Sequence, residues 1–109
     1  MTLASLGKIT VPTPGTPVRI SANSIICNKI ILHPLPANLG VSVSVGSSNV
    51  NAATYVGAVV TFIKPGATGV LDFRFIEFEE GSGDPLDLST LWVDATTAGD
   101  GVIVSYAVV

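Results

Sequence analysis

The sequence predicts an all-β protein that folds as an antiparallel sandwich or barrel, and three observations lead to this. Val, Ile and Thr dominate the chain, and no window repeats its apolar residues with the 3.6-residue period of a helix. Gly, Pro and Asn interrupt the apolar stretches about every 8 to 12 residues, which is the spacing of short strands joined by turns. At 109 residues the chain is predicted to be a single domain, residues 1–109, with about eight strands.

The first third of the chain is predicted to contain three strands. Residues 1–7 are expected to form a flexible N-terminal arm, and Lys8–Val11 is the first predicted strand. Residues 12–17 contain three prolines, which lack the amide donor that a central strand needs, so they are interpreted as a connection. Val18–Ser21 alternates as a second strand, and Ile25–Leu32 is the third and the longest apolar stretch of the first half.

The middle of the chain is predicted to add three more strands and an exposed loop. Val41–Val45 alternates valine with serine, so its valines are predicted to face a core and its serines water or a partner. Ala58–Ile63 is the next strand, and Val70–Phe78 is the longest. The apolar residues of this long strand switch sides near Phe75–Ile76, which predicts either a β-bulge or a change of the buried face there. Residues 79–85 are polar and acidic, and they are predicted to form the most exposed loop.

The C-terminal stretch is predicted to combine a helical turn, a reversal and a strand. Asp87 is predicted to cap one helical turn over 87–91, because its carboxylate can accept from amides two or three residues on. Trp92–Val93 is predicted to be extended, and the glycines of 98–101 allow the chain to reverse. In the final strand, 102–109, four alternate residues are predicted to face one way. They are Val102, Val104, Tyr106 and Val108.

The charge content indicates a protein that works in an assembly. Charged residues make up 12% of the chain and apolar residues 48%, whereas about a quarter of an average protein is charged. A surface so poor in charge favours either a subunit that buries much of its exterior in an assembly or a protein with a neutral, robust exterior. All eight acids follow residue 71, so we expect either segregated faces that pack head to tail or a fold that interleaves the charges. The net charge of −3 and five scattered bases oppose nucleic-acid binding.

Other simple features define the expected compartment and redox state. Cys27 is the only cysteine, which excludes an internal disulfide, and it is predicted to be a small buried hydrophobe. The first residues lack the basic and apolar regions of a secretory leader. No apolar run approaches the roughly 20 residues that a membrane helix needs. The protein is therefore expected to be made in the cytoplasm and to have no membrane partner.

No set of residues in the sequence indicates catalysis, a cofactor or a metal. His33 is the single histidine, and one His with one Cys is too little for a zinc site. The acids between residues 77 and 87 invite a calcium interpretation, but their spacing matches no calcium loop, and a solvated acidic loop is favoured. Asp94 and Asp100 flank a turn and are interpreted as bonding local amides. The prediction is a protein that is not an enzyme.

A series of phrases along the chain resembles a group of small β-proteins encoded among the virion genes of tailed bacteriophages. The series runs over residues 13–106. It comprises 13–21 (TPGTPVRIS), 27–32 (CNKIIL), 37–40 (ANLG), 45–52 (VGSSNVNA), 63–67 (IKPGA), 87–95 (DLSTLWVDA) and 99–106 (GDGVIVSY).

The resemblance implies a head decoration, or cement, protein. Proteins of this kind commonly have jelly-roll-like β-folds and cluster as trimers on the outside of the capsid, where they contact the major capsid protein. The expected role is mechanical, because many copies that bridge capsid subunits strengthen the shell together. The expected location is the capsid surface of the virion.

Eight residues are predicted to lie at capsid or subunit contacts. The chain ends on valines in mid-strand, which suggests that its end is held in a sheet near a neighbouring subunit. The predicted contact residues are Lys8, Arg19, Glu79, Glu80, Asp84, Trp92, Val108 and Val109. Two alternatives stay open: a carbohydrate-binding or host-attachment module, which would need Tyr55 and Trp92 to be exposed, and a calcium-stabilised β-domain.

Overall fold

The part of the chain that the structure describes contains ten β-strands, which confirms the all-β prediction. The computed structural model describes residues 2–35, 38–63, 74–77 and 86–108, with the backbone alone at 74–77. The strands are β1 (Thr2–Thr10), β2 (Val18–Arg19), β3 (Ile26–Cys27), β4 (Lys29–Pro34), β5 (Ser42–Gly46), β6 (Ala58–Ile63), β7 (Arg74–Glu77), β8 (Leu86–Asp87), β9 (Trp92–Ala95) and β10 (Gly101–Val108). A single 3-10 turn, Leu88–Thr90, precedes β9. None of the described residues forms a helix long and apolar enough to span a membrane.

Two four-stranded antiparallel sheets form the predicted β-sandwich. The first sheet has the order β1-β10-β4-β7, and the second has the order β2-β9-β5-β6. The strands β3 and β8 pair separately as a short ribbon. The two sheets bury apolar side chains between them, as expected for a sandwich.

The strand pairing is nested along the chain. β5 pairs with β6, β4 with β7, β3 with β8, β2 with β9 and β1 with β10. The first five strands thus pair with the last five as one long antiparallel ribbon, and this ribbon folds over on itself. Two further pairings complete the sheets: β10 with β4 in the first sheet and β9 with β5 in the second.

The N-terminal residues form a strand, so the prediction of a flexible arm is wrong. β1 pairs with β10 from Thr2 to Thr10, and the register shifts between Ser5 and Gly7. Gly7 has φ 74°, a conformation that glycine adopts without strain. The extra residue changes which face the following side chains take, so Leu6 and Ile9 both pack on the core despite their odd spacing.

The core lies between the sheets and contains the alternating valines of β5, β9 and β10. Val102 and Val104 are fully buried, and Tyr106 and Val108 pack against the same cluster, which confirms the predicted face of β10. In β5 the prediction holds for Val43 and Val45, which are both core residues. The remaining core residues include Val11, Ile20, Cys27, Ile30, Leu32, Phe62, Leu88, Leu91 and Val93.

Two details of the predicted strands differ in the structure. Val41 is 65% exposed, while Ser42 and Ser44 are buried, so the serines do not face water. The serines are buried because Ser42 donates to the Ala52 carbonyl and Ser44 shares a hydrogen bond with Thr61. The predicted bulge near Phe75–Ile76 is also wrong, because β7 pairs with β4 in one unbroken register from Arg74 to Glu77. The rest of the predicted strand Val70–Phe78 lies outside the described residues.

Candidate interaction surface

Asp94 is a structural clamp on the outer side of the second sheet. It follows the core residue Val93 in β9 and pairs in register with Ser44, so both side chains point away from the sandwich interior. Its two carboxylate oxygens accept the amide of Gly15 at 2.9 Å and the amide of Ala52 at 2.8 Å. These amides belong to two separate loops. The carboxylate thus holds both loops over the sheet and is itself 1% exposed.

Asp100 performs the same role at the end of the sandwich. It precedes β10 and is 3% exposed. Its oxygens accept the amides of Leu39 at 2.9 Å and Gly40 at 2.7 Å. The neighbouring Asn38 exchanges two hydrogen bonds with the backbone of Gly101. These bonds add a second connection between the segment 38–40 and the start of β10. The prediction that Asp94 and Asp100 bond local amides is therefore wrong, because their partners lie 42 to 79 residues away in the chain.

Asp87 caps the 3-10 turn, as predicted, and also fixes a second segment. Its carboxylate accepts the amide of Ser89, and it accepts the hydroxyl of Ser24 at 2.6 Å and the amide of Ile25 at 3.2 Å. The Ser24 hydrogen bond, followed by those from Ser89, lowers the pKa of Asp87 to about 2. This carboxylate is committed to the fold, which leaves it poorly placed to bind calcium.

The described part of the chain contains no group of side chains suited to binding a metal ion. No three His, Cys, Asp or Glu side chains cluster there. Cys27 is 1% exposed, which confirms the prediction that it is buried. Burial first, and the charge of Asp87 second, raise the pKa of its thiol, so it is a poor nucleophile. His33 lies in β4 opposite Ile103 and belongs to no such cluster.

The structure brings together two of the predicted contact residues, Arg19 and Trp92. They face each other across the β2–β9 pairing, and the Arg19 guanidinium lies over the indole, 5.0 Å from the ring centre. Such a cation–π contact is worth about 0.5–1 kcal/mol at an exposed site. Arg19 is exposed and Trp92 is half-buried, so Trp92 presents only part of its ring to solvent.

The other predicted contact residues are dispersed. Lys8 is exposed on β1, the edge strand that comes before β2 in the chain. Val108 pairs with Thr2 and packs on the core of its own chain, so its side chain is not a free contact. The remaining four predicted residues lie outside the described residues. They are Glu79, Glu80, Asp84 and Val109.

A surface that the sequence analysis did not identify runs along β6. Eight large hydrophobic side chains are exposed in the described part of the chain, and six of them lie between residues 39 and 63. We call these six the neutral edge: Leu39, Val41, Tyr55, Val56, Val59 and Ile63. The signal that could have found it is the absence of any Lys, Arg, Asp or Glu between Lys29 and Lys64.

The six side chains of the neutral edge follow β6 from one end to the other. The Tyr55 carbonyl accepts the amide of Ala58, where β6 begins. Val59 sits at a register shift, between the partners of Val45 and Gly46. Ile63, at the far end, pairs with Ser42, which directly follows Val41. Hydrogen bonds of Asp100 to the two amides just before Val41 hold that end in place.

No protein-family model, curated protein or solved structure matches this chain.

Proposed function

We propose that this protein is a structural virion protein, a decoration or cement protein on the head of a tailed bacteriophage. The observation that supports this most is the strand pairing. With β3 and β8 set aside as the crossing between the sheets, eight strands remain. The first pairs with the last, the second with the seventh, the third with the sixth and the fourth with the fifth. Jelly rolls, which occur in viral capsid domains and also in lectins, have their strands in this order, and the pairing therefore supports the proposal.

The use of the buried carboxylates supports a mechanical role. Asp94 and Asp100 each accept two backbone amides from distant loops, and Asp87 joins two segments. In an enzyme, carboxylates are held where they can meet a substrate. In this protein they tie loops to strands, which suits a rigid subunit that transmits load across a shell.

Attachment to the capsid is proposed to use two exposed bases, each on an edge strand of a different sheet. Lys8 and Arg19 are exposed on edge strands that follow one another in the chain. An acidic patch on the major capsid protein would complement them. Each contact is modest, because exposed ion pairs contribute at most about 1 kcal/mol. Many trimers bridging many capsid subunits multiply the effect through multivalency.

The test is whether the protein is part of the particle. Quantitative mass spectrometry of purified virions should find it in stoichiometric proportion to the major capsid protein, and electron microscopy should place it on the head surface. Heads that lack it should release DNA at a lower temperature than complete heads, and added purified protein should restore their stability. A protein that is abundant in infected-cell cytoplasm and absent from purified particles would overturn the proposal.

The attachment site can be tested on the same heads. Replacing both bases, Lys8→Glu with Arg19→Glu, should lower binding to heads that lack the protein, and raised salt should weaken wild-type binding. The control is Ser48→Glu, which places an acid on an exposed turn away from both edge strands. If the double variant binds as well as the control, the contact lies elsewhere.

The alternative of a carbohydrate-binding or host-attachment module has one observation in its favour. Tyr55 is 47% exposed and has φ 65°, an uncommon conformation for a residue other than glycine and one often found at functional sites. Trp92, the second aromatic that this function would use, is covered on one face by Arg19. A glycan array with the wild type and Tyr55→Ala separates the two functions, since only the attachment module would lose a signal.

A further inference from the structure

We propose that copies of this chain associate with one another through the neutral edge. The inference rests on the proposed function in one respect, the expectation of a homo-oligomer, and it adds the surface that mediates the contact. Exposed apolar side chains scattered singly are normal, but a continuous band of them marks an interaction site. Here two such side chains lie in β6 and four more lie in the segments beside its two ends.

The charges of the four edge strands single out β6. The strand β1 contains Lys8, β2 contains Arg19, and β7 contains Arg74 and Glu77. Natural proteins protect sheet edges from unwanted pairing with charged residues, prolines, bulges or very short strands. The six residues of β6 contain no charge and no proline, and its one irregularity places Val59 64% exposed. Among the edges of the described part, β6 has the least protection against another strand or apolar surface.

The absence of charge favours a second copy of this chain as the occupant. Close to a symmetry axis a side chain lies near its own copy, so a charge there would face the same charge, which is unfavourable. A different protein could supply complementary charges, and the surface facing it could keep its own. The segment from residue 30 to 63 has no formal charge in a chain of net charge −3. Two copies that meet through this uncharged segment bring no like charges together.

The neutral edge is also preorganised for contact. The amides of Leu39 and Gly40 are fixed by Asp100, and Val41 and Ser42 both donate to the Thr96 hydroxyl. The Ala52 amide, in the loop that leads from β5 to Tyr55, is fixed by Asp94. Segments that are ordered before association lose less conformational entropy on binding, which strengthens the contact.

The experiment measures the mass of the purified protein by sedimentation and light scattering over a range of concentrations. The test variant is Val59→Lys with Ile63→Lys, which places charge on two residues that are 64% and 53% exposed. The matched control is Leu3→Lys, 70% exposed on β1, an edge that already carries Lys8. The wild type and the control should form the same oligomer, and the test variant should dissociate with a dissociation constant raised at least about 100-fold. Circular dichroism checks that all three are folded.

A second variant tests the same two positions without adding charge, because lysines could drive copies apart by charge repulsion alone. Val59→Thr with Ile63→Thr keeps the β-branched shape and should raise the dissociation constant about 10-fold. Because the contact is apolar, 1 M NaCl should leave the oligomer intact, whereas salt should weaken the capsid contact. A wild type that is monomeric at all concentrations, or a lysine variant that associates like the control, would overturn the inference. Absence from virions would overturn the proposed function and leave a measured oligomer unaffected.

Discussion

Replacing Asp94 with alanine is the most direct perturbation of the loop clamps. Asp94→Ala removes a charged acceptor from two amides, those of Gly15 and Ala52, at 2.9 and 2.8 Å. Hydrogen bonds to charged groups contribute about 1.5–3 kcal/mol each, and the carboxylate that accepts both of these is 1% exposed. The expected loss is therefore about 3–6 kcal/mol of unfolding free energy. This is a large part of the about 5–15 kcal/mol that holds a typical domain folded.

The assay is equilibrium unfolding in urea together with amide hydrogen exchange. At about 4 °C per kcal/mol for a domain of this size, the melting temperature of Asp94→Ala should fall by about 12–24 °C. Asp94→Asn should cost less, because its amide oxygen can still accept one of the two hydrogen bonds. The amides of Gly15 and Ala52 should lose protection before the core of β9 and β10 does.

The outcome that refutes the clamp is a small effect at the same site. Ser48→Ala, an exposed change on the β5–β6 turn, is the control and should lie within about 0.5 kcal/mol of the wild type. If Asp94→Ala is as stable as this control, or if the amides of Gly15 and Ala52 stay protected, the carboxylate does not hold the loops.

Three further outcomes are expected. Because the pKa of Asp87 in the folded chain is about 2 and its usual value is 3.8, its hydrogen bonds stabilise the fold above about pH 4, and this stabilisation is lost as the pH falls toward 2. Urea unfolding across this range should show the slope in the wild type and a flatter one in Asp87→Asn. Gly101→Ala should cost about 3 kcal/mol, because its Cβ would meet the carbonyl of Ile9 in the neighbouring strand. Gly99→Ala should cost about 1–2 kcal/mol, because the added atom meets open space but φ is 87°. Equal losses of unfolding free energy in the two glycine variants would contradict this reasoning. Cys27, buried and with a raised thiol pKa, should react with thiol reagents only as fast as the chain unfolds, so rapid labelling in native buffer would contradict its burial.

The elements that the sequence predicted well are those set by neighbouring residues. Ala58–Ile63 is a strand with the predicted bounds, and the predicted cap at Asp87 is present. Alternation over a few residues was enough to predict which face of β10 packs on the core. The same local reading failed for β1, because its bulge near Gly7 interrupts the alternation and makes the strand look like irregular chain.

The interaction surface depended on information that no short window contains. Asp94 and Asp100 look like turn residues because the amides they accept are 42 to 79 residues away. The neutral edge could not be found from hydropathy alone, since a strand like Ala58–Ile63 reads equally well as a central strand. Only the sheet order shows that β6 is an edge, and only then do its exposed valine and isoleucine need a partner.

The nested pairing has a consequence for how the chain folds. Partners are 15 residues apart at Val45 and Val60, and this separation grows outward to 95 residues at Lys8 and Ile103. Closing a longer loop costs more entropy, so the β5–β6 hairpin is the cheapest place to start and each outer pair is brought near by the one inside it. Folding is thus expected to propagate outward from the middle of the chain and, with so many distant contacts, to take milliseconds to seconds or longer. Until β1 and β10 close, the centre of the chain would remain exposed to neighbouring copies.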